Sequence, residues 1–166
     1  MTFLDLVVGD EGFLDANIFV YYYAPDPRWH SSCSQLLQRI QNQEIAGHTS
    51  AAILSEIAHR LMTIEARTRH GWTSGKVLQR LKQNPPIVQT LTNSEAAVAS
   101  IVGSRVHIFP VDSGLVVAAA AVSRQTGLLT NDALTVTLMR SNGLSKLASN
   151  DPDFDRVPGI TRYAPV

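Results

Sequence analysis

The short stretch Gly12-Phe13-Leu14-Asp15 decides the fold, because an apolar run ends there in an acid. Similar short apolar runs recur at Ile45 to His48 and at Leu144 to Ala148, separated by longer segments with helical periodicity. Alternation of this kind is typical of an α/β fold with a mostly parallel sheet. We therefore predict that Asp15 lies at the carboxyl end of the first strand, where open parallel sheets gather their functional groups.

The other segments extend this pattern along the chain. Helices are predicted over residues 18–24, 29–41 and 131–141, after a cap at Thr49 or Ser50, and after a cap at Asp112 or Ser113. Residues 74–103 are predicted to form a pair of helices, because Pro85-Pro86 interrupts their periodicity. Further strands are predicted at residues 106–111, 128–129 and 160–163.

Composition predicts one folded domain over residues 1–166, with residues 1–11 as an N-terminal extension or edge strand. Apolar residues make up 45% of the 166 residues and charged residues 17%, against about 25% charged in an average domain, which excludes intrinsic disorder. No apolar run reaches the roughly 18 residues of a membrane span. The chain starts without a secretory signal pattern, and Cys33 is its only cysteine, so we expect a reducing cytoplasm.

Charge is balanced overall but uneven along the chain. Fourteen acids offset fourteen bases, which argues against binding nucleic acid through bulk electrostatics. Between Ile57 and Lys82, however, six bases accompany only Glu65. A solvated helical face and a set of phosphate contacts both explain this bias. The candidate phosphate contacts are Arg60, Arg67, Arg69, Arg80 and Lys82.

Several acids are predicted to share one edge of the sheet. Asp132 follows Leu128-Leu129, Asp151 and Asp153 follow the Leu144 to Ala148 run, and Glu56 lies early in the long helix after Ser50. Each has an ordinary structural explanation: Asp15 and Asp132 as helix caps, Glu56 as a partner of Arg60, the last two as a solvated turn. Caps and turns have no reason to converge, so their joint placement favours a common site.

Clustered carboxylates repel, and in a partly dry cleft they must take up protons or bind a hard cation. The five histidines and single cysteine have no zinc spacing. Mg²⁺ or Mn²⁺ is therefore the expected ion, since both accept carboxylate oxygens together with substrate phosphates. Such a site suits hydrolysis of a phosphodiester bond.

Four segments carry these acids in order: Phe13-Leu14-Asp15-Ala16-Asn17-Ile18, Thr49-Ser50-Ala51-Ala52-Ile53-Leu54-Ser55-Glu56, Leu128-Leu129-Thr130-Asn131-Asp132-Ala133-Leu134 and Ser149-Asn150-Asp151-Pro152-Asp153-Phe154. Together they resemble the motifs of PIN-domain nucleases, and their order and spacing resemble those of VapC-like toxins of prokaryotic toxin–antitoxin pairs. The resemblance covers residues 12–165 and implies a three-layer α/β/α, Rossmann-like fold.

The resemblance also implies roles for individual residues. Asp15, Glu56, Asp132 and Asp151 would hold Mg²⁺ or Mn²⁺, Asp153 would assist them or bind a second ion, and Asn17 and Ser149 would orient them by hydrogen bonds. Which of Asp151 and Asp153 is the primary ligand stays open. The family further implies RNA cleavage in a prokaryotic cytoplasm, a homodimer, and an antitoxin whose C-terminal segment enters the active-site groove.

The chain departs from the family pattern in two places. About ten residues precede the first motif, and within them Phe3-Leu4-Asp5 imitates Phe13-Leu14-Asp15 without the Asn two positions later. We interpret Asp5 as having no part in the site. Ser149 stands where Thr is usual, which keeps the hydroxyl group.

Other functional classes fit less well. A phosphoreceiver domain would need paired acids at the first strand end and a Lys near the last strand. Asp10-Glu11 is an imperfect pair, and Lys146 lies inside a predicted strand. A dinucleotide enzyme would need a Gly-rich turn that this sequence lacks, and a dehalogenase-type phosphatase would need Asp at position 17. The remaining alternative is a catalytically silent PIN-like module that binds RNA or protein.

Overall fold

A computed structural model describes residues 1–166. It contains five strands: β1 (Glu11–Leu14), β2 (Ala46–Ser50), β3 (His107–Phe109), β4 (Lys146–Ala148) and β5 (Thr161–Tyr163). Eight α-helices accompany them: α1 (Ala16–Tyr23), α2 (His30–Gln41), α3 (Ala51–His70), α4 (Val77–Gln83), α5 (Pro85–Val88), α6 (Asn93–Val102), α7 (Ser113–Thr126) and α8 (Thr130–Ser141). Short 3₁₀ helices cover Phe3–Asp5, Ser74–Lys76 and Pro152–Arg156.

The strands form one sheet in the order β3-β2-β1-β4-β5, and every pairing is parallel. Right-handed crossovers then place α1 to α6 on one face of the sheet and α7 and α8 on the other. The prediction of a three-layer α/β/α fold with a mostly parallel sheet is confirmed. Strand order reverses at β1, the position where ligands bind in open sheets of this kind.

Helix α3 begins after one of the two caps that its sequence predicts. The Ser50 hydroxyl accepts a hydrogen bond from the Ile53 N–H at 3.3 Å, so Ser50 rather than Thr49 is the cap. Thr49 instead donates from Oγ1 to the Leu14 carbonyl at 3.1 Å, which ties the ends of β1 and β2 together. Gly71 closes the helix at a φ of 62°, in the left-handed region that glycine favours.

Gly47 marks the closest approach of α2 to the sheet. A Cβ atom at this position would lie 2.8 Å from Ile40 Cδ1 and 2.9 Å from Ile40 Cγ2, and the Ile40 side chain is buried. We expect Gly47→Ala to lower the free energy of unfolding by about 1–3 kcal/mol, because Ile40 must move within a packed core. Urea denaturation measures this loss.

The matched control is Gly12, which pairs with Gly47 across the sheet. A Cβ atom there would meet only the Lys146 carbonyl, at an ordinary 3.8 Å. Gly12→Ala should therefore leave stability nearly unchanged. Equal losses of unfolding free energy in the two variants would show that the cost at position 47 comes from strand propensity and not from the contact with Ile40.

The predicted strand at Leu128-Leu129 is wrong. Leu128 is buried, but its N–H and carbonyl bond locally, to Thr126 Oγ1 at 3.3 Å and to the Ser123 hydroxyl at 2.7 Å. Both strand positions beside β1 are already taken by β2 and β4. The segment therefore leads directly into α8, and Asp132 lies in the first turn of that helix rather than at a strand end.

The N-terminal extension lies beside β5, at the edge of the sheet opposite β3. Thr2 forms a single parallel bridge with Ala164, and residues 3–5 turn into a 3₁₀ helix, so residues 1–11 add no full edge strand before β1. Phe3 and Leu6 are buried, and Arg39 donates to their two carbonyls at 3.3 and 2.8 Å. These contacts fasten the extension to α2.

The Pro85-Pro86 interruption gives three helices in the 74–103 segment, where a pair was predicted. Pro85 opens the single turn of α5 at the position where a missing N–H costs least. The segment packs on α3 through a small cluster of buried residues that is separate from the main core of 30 buried residues. Its members are Ala66 of α3 and Val77, Leu81 and Leu91.

No helix of the chain is long and apolar enough to cross a bilayer.

Candidate active site

Asp15 is the most enclosed of the predicted site acids. It directly follows β1 and is only 8% exposed. Its Oδ1 accepts the Ala16 N–H at 2.7 Å, and its Oδ2 accepts the Ser149 hydroxyl at 2.7 Å and the Asn17 amide. Asp15 therefore caps α1 and also holds a fixed carboxylate at the strand end.

Asn17 and Ser149 form the network that fixes this carboxylate. The Ser149 hydroxyl also accepts the Asp151 N–H and the Asn17 amide, each at 3.0 Å. Asn17 Oδ1 accepts the Asn150 N–H at 3.2 Å. The loop after β4 is thus attached through side chains to the loop after β1, which brings Asp15 and Asp151 to the same edge of the sheet.

Glu56 and Asp132 line an open groove of about 500 Å³ beside this network. Leu129, Thr130 and Asn131 complete its walls. Glu56 Oε1 lies 3.5 Å from Arg60 Nη1, so the ordinary ion pair expected for it is also present. The groove opens to solvent, since Leu129 at its rim is 77% exposed.

Asp151 and Asp153 occupy different environments. Asp151 is partly buried, and its Oδ1 accepts the Asp153 N–H at 2.9 Å, which caps the 3₁₀ helix Pro152–Arg156. Asp153 is exposed and lies 3.3 Å from Arg156. The solvated-turn interpretation therefore suits Asp153 better than Asp151.

The electrostatics link these acids to one another. Burial, followed by the charges of Glu56 and Asp132, raises the pKa of Asp15 to about 6, although hydrogen bonds from Ser149 and Ala16 oppose the rise. Burial and the charges of Asp151, Glu56 and Asp153 raise the pKa of Asp132 to about 6. Asp132 is thus close enough to the charges of Glu56, Asp151 and Asp153 to respond to them, and Asp15 responds to Glu56 and Asp132.

The donor set fits a hard divalent cation. It consists of carboxylate oxygens, and burial together with repulsion among the acids raises two pKa values that a bound cation would lower. No three Asp, Glu, His or Cys side chains form a ready-made coordination cage. Magnesium binding does not require such a cage, because the ion keeps several of its waters and uses only one or two protein carboxylates with substrate phosphates.

The basic residues of the 57–82 segment do not all face this site. Arg69 is held by buried Glu65 at 2.6 Å and by the Thr90 carbonyl at 2.8 Å. Arg80 lies over the Trp72 ring at 5.3 Å. Arg60 and Arg67 line a second groove, beside α1, that is described below.

Arg162 of β5 contacts the acidic loop, although no site role is predicted for it from the sequence. It donates to the Ser149 carbonyl at 3.2 Å and makes two 2.8 Å hydrogen bonds to Asp155, so it braces the loop that carries Asp151. No local sequence signal connects this arginine with Ser149, thirteen residues earlier. Only the pairing of β4 with β5 reveals the contact.

The ionised carboxylate of Asp132 is expected to destabilise the metal-free protein at neutral pH. Because its native pKa of about 6 exceeds the unfolded value, this group favours the native state most below about pH 4, and the advantage is lost as pH rises through 6. Asp132→Asn should raise the free energy of unfolding in EDTA by about 1–2 kcal/mol at pH 7.5, after allowance for solvent screening, and by much less near pH 4.

Urea denaturation at both pH values checks this expectation, and adding Mg²⁺ should narrow the difference at pH 7.5. A gain of the same size at both pH values would assign it to helix propensity or capping instead of charge repulsion. Asp112→Asn, at the cap of α7, is the control for a general effect of removing a helix-terminal acid.

Fold and site together define an α/β protein with a carboxylate cluster at the carboxyl edge of a parallel sheet. The sequence model of the PIN domain family matches residues 12–160, and the chain belongs to this family. The expected family resemblance is thereby confirmed.

Individual relatives agree with this assignment. Ribonuclease VapC2 of Methanocaldococcus jannaschii is 24% identical over 145 residues, which is 87% of each chain. The VapBC2 structure from Rickettsia felis, bound to a promoter DNA fragment, shares the fold at a TM-score of 0.61 and 16% identity, covering 94% of this chain and 99% of that one. Mycobacterium tuberculosis VapC20, described as a sarcin-ricin loop cleaving toxin, has a TM-score of 0.60 and 20% identity over 87% and 92% of the two chains.

Proposed function

We propose that the chain is a Mg²⁺- or Mn²⁺-dependent endoribonuclease and the toxin of a toxin–antitoxin pair. The observation that carries the proposal is the set of mutually repelling carboxylates at the sheet edge, with the pKa of Asp15 and of Asp132 raised to about 6. Membership of the PIN family and similarity to a ribonuclease VapC2 support this activity.

Asp15, Glu56, Asp132 and Asp151 are the residues that would hold the ion. When bound, a divalent metal supplies a hydroxide nucleophile near neutral pH and stabilises the leaving oxygen of the phosphodiester. Asn17 and Ser149 donate to Asp15 Oδ2 and so hold that carboxylate in one orientation. Asp153, on the exposed side of the loop, would assist with charge at the mouth.

The partners follow from the same proposal. An antitoxin would fill the groove through its C-terminal segment, in keeping with the VapBC and other toxin–antitoxin complexes among the structural relatives. Helix α7 is the surface that we assign to a homodimer, since Ala119 is its only buried residue and Val117 is 73% exposed. We place the protein in a prokaryotic cytoplasm, as one domain with residues 1–11 as an extension.

Purified protein free of antitoxin tests the activity directly. Labelled single-stranded and structured RNAs would be incubated with Mg²⁺, Mn²⁺ or EDTA, and light scattering would give the mass of the assembly. Cleavage with either metal and none in EDTA is the expected result. RNA binding without cleavage, together with no detectable metal binding, would favour the catalytically silent PIN-like module.

A further inference from the structure

A second groove lies beside the acid groove, between α1 and α3. It measures about 540 Å³ and is lined by residues that include Tyr21, Pro25, Arg60, Arg67 and Thr68. The acid groove uses Glu56 from the same helix. Glu56, Arg60 and Arg67 lie on one face of α3, because steps of four and seven residues return to nearly the same direction.

Tyr21 connects the second groove with the acidic loop after β4. Its hydroxyl accepts a hydrogen bond from the Asn150 amide at 3.1 Å. Asn150 follows Ser149 and precedes Asp151, and its N–H is held by Asn17. The wall of the second groove is thus bonded directly to the loop that carries the site acids, so one extended ligand could occupy both.

The charges of the second groove favour a polyanion. Arg60 and Arg67 are about 10 Å apart along the helix axis. The guanidinium of Arg67 donates only to the Ser74 hydroxyl, at 3.2 Å, and the side chain is exposed. Asp26 is the acid on the opposite wall, and it already accepts the Arg28 N–H at 2.8 Å and lies 3.5 Å from the Arg28 guanidinium.

We propose that this groove is the track for single-stranded RNA on one side of the cut phosphodiester. Arg60 and Arg67 contact backbone phosphates, and the Tyr21 ring forms a wall on which a base stacks. The inference rests on the proposed ribonuclease function and adds the direction in which the strand leaves the acids. It also excludes Arg69 from the track, because that guanidinium is engaged with Glu65 and Thr90.

An acidic protein segment would also be attracted to two arginines. RNA is favoured because Glu56 of the carboxylate site lies one helical turn from Arg60 of the groove, and because the groove has an aromatic wall beside its two cations. Alternating phosphates and bases match that arrangement. A protein segment is therefore the competing outcome of the experiment.

The test uses Arg67→Gln, since Arg67 is distant from the acids, whereas Arg60 contacts Glu56. Binding of a labelled single-stranded RNA would be measured by fluorescence anisotropy over a salt series, in the full-length protein carrying Asp15→Asn to prevent cleavage. We expect about tenfold weaker binding and a logarithmic salt slope reduced by about 0.7, the value for one phosphate contact on a single strand. The matched control is Arg105→Gln, an exposed arginine between α6 and β3 that lines neither groove.

Cleavage kinetics with Asp15 intact provide the second measurement. Arg67→Gln should raise KM with kcat unchanged, because the contact is made equally in the ground and transition states. Equal Kd values and salt slopes for Arg67→Gln and Arg105→Gln, in a protein that cleaves RNA, would overturn the track and leave the nuclease intact. Loss of affinity for the cognate antitoxin with RNA binding unchanged would also overturn it.

A failure of the proposed nuclease function would give a different pattern of results. If the wild-type protein cleaves no RNA with any metal, but Arg67→Gln still weakens RNA binding and flattens the salt slope, the groove is an RNA site on a silent module. The binding and cleavage measurements therefore separate the two claims.

Discussion

Asp15→Asn is expected to reduce metal-dependent RNA cleavage by on the order of 10³-fold. The substitution removes the negative charge of the most enclosed site acid, and a bound metal ion stabilises the transition state of phosphodiester hydrolysis by several kcal/mol. Asparagine keeps the shape, so its oxygen can still accept the Ala16 N–H and cap α1. Initial rates with saturating Mg²⁺, together with calorimetric titration of the metal, measure the loss.

The chain contains a matched control for this variant. Asp5 ends the tripeptide Phe3-Leu4-Asp5, which copies Phe13-Leu14-Asp15, but it accepts only from Thr2 at the exposed N-terminal turn. Asp5→Asn should cleave RNA at the wild-type rate. Wild-type rates in Asp15→Asn would remove Asp15 from the catalytic set, and an equal loss in both variants would indicate damage to the fold.

Sequence information alone predicts the parts of the fold that depend on local signals. The strand that ends just before Asp15 and a cap of α3 at Thr49 or Ser50 are each encoded within a few residues. Placing Asp15 and Asp151 at one edge needed only the rule that parallel strands end together. The prediction at Leu128-Leu129 failed because a strand also needs a free neighbour, and β2 and β4 already flank β1.

The remaining differences between the predicted and the observed site depend on side-chain contacts. Arg69 belongs to the same basic run as Arg67, and the sequence gives no reason to separate them. In the structure buried Glu65 binds Arg69 and also accepts the Asn93 N–H at 3.0 Å, so this arginine joins α3 to the start of α6. Arg60 and Arg67 are the two bases of this run that line the second groove. The contact of Arg69 with Glu65 and the start of α6 comes from the tertiary structure, so the sequence alone does not separate it from its neighbours.

Phe154 explains why an aromatic residue ends the last acidic motif. The 3₁₀ helix Pro152–Arg156 is short and exposes Asp153, Asp155 and Arg156, but Phe154 is fully buried in the main core. Such a turn has little stability of its own. Burial of this ring therefore anchors the segment, and Asp151 at its cap takes its position from that anchor.

Phe154→Ala should consequently affect stability and catalysis together. The lost ring leaves a cavity that costs about 3–5 kcal/mol, a large share of the 5–15 kcal/mol that stabilises a typical domain. A fall in Tm of roughly 10 °C is expected by calorimetry. RNA cleavage should also decrease at temperatures where the variant is still folded, because Asp151 and Asp153 lose their fixed positions.

Leu4→Ala is the control for removing a large apolar side chain, since Leu4 is 72% exposed, and it should change the free energy of unfolding by less than about 0.5 kcal/mol. The decisive comparison is between stability and rate in Phe154→Ala. Lower stability with wild-type cleavage below the Tm would mean that two other hydrogen bonds hold the acidic loop without the ring: the one that Asp151 donates to the Ser149 hydroxyl and the one that Arg162 donates to the Ser149 carbonyl. A loss of rate in the folded variant would identify core packing at Phe154 as the support of the site.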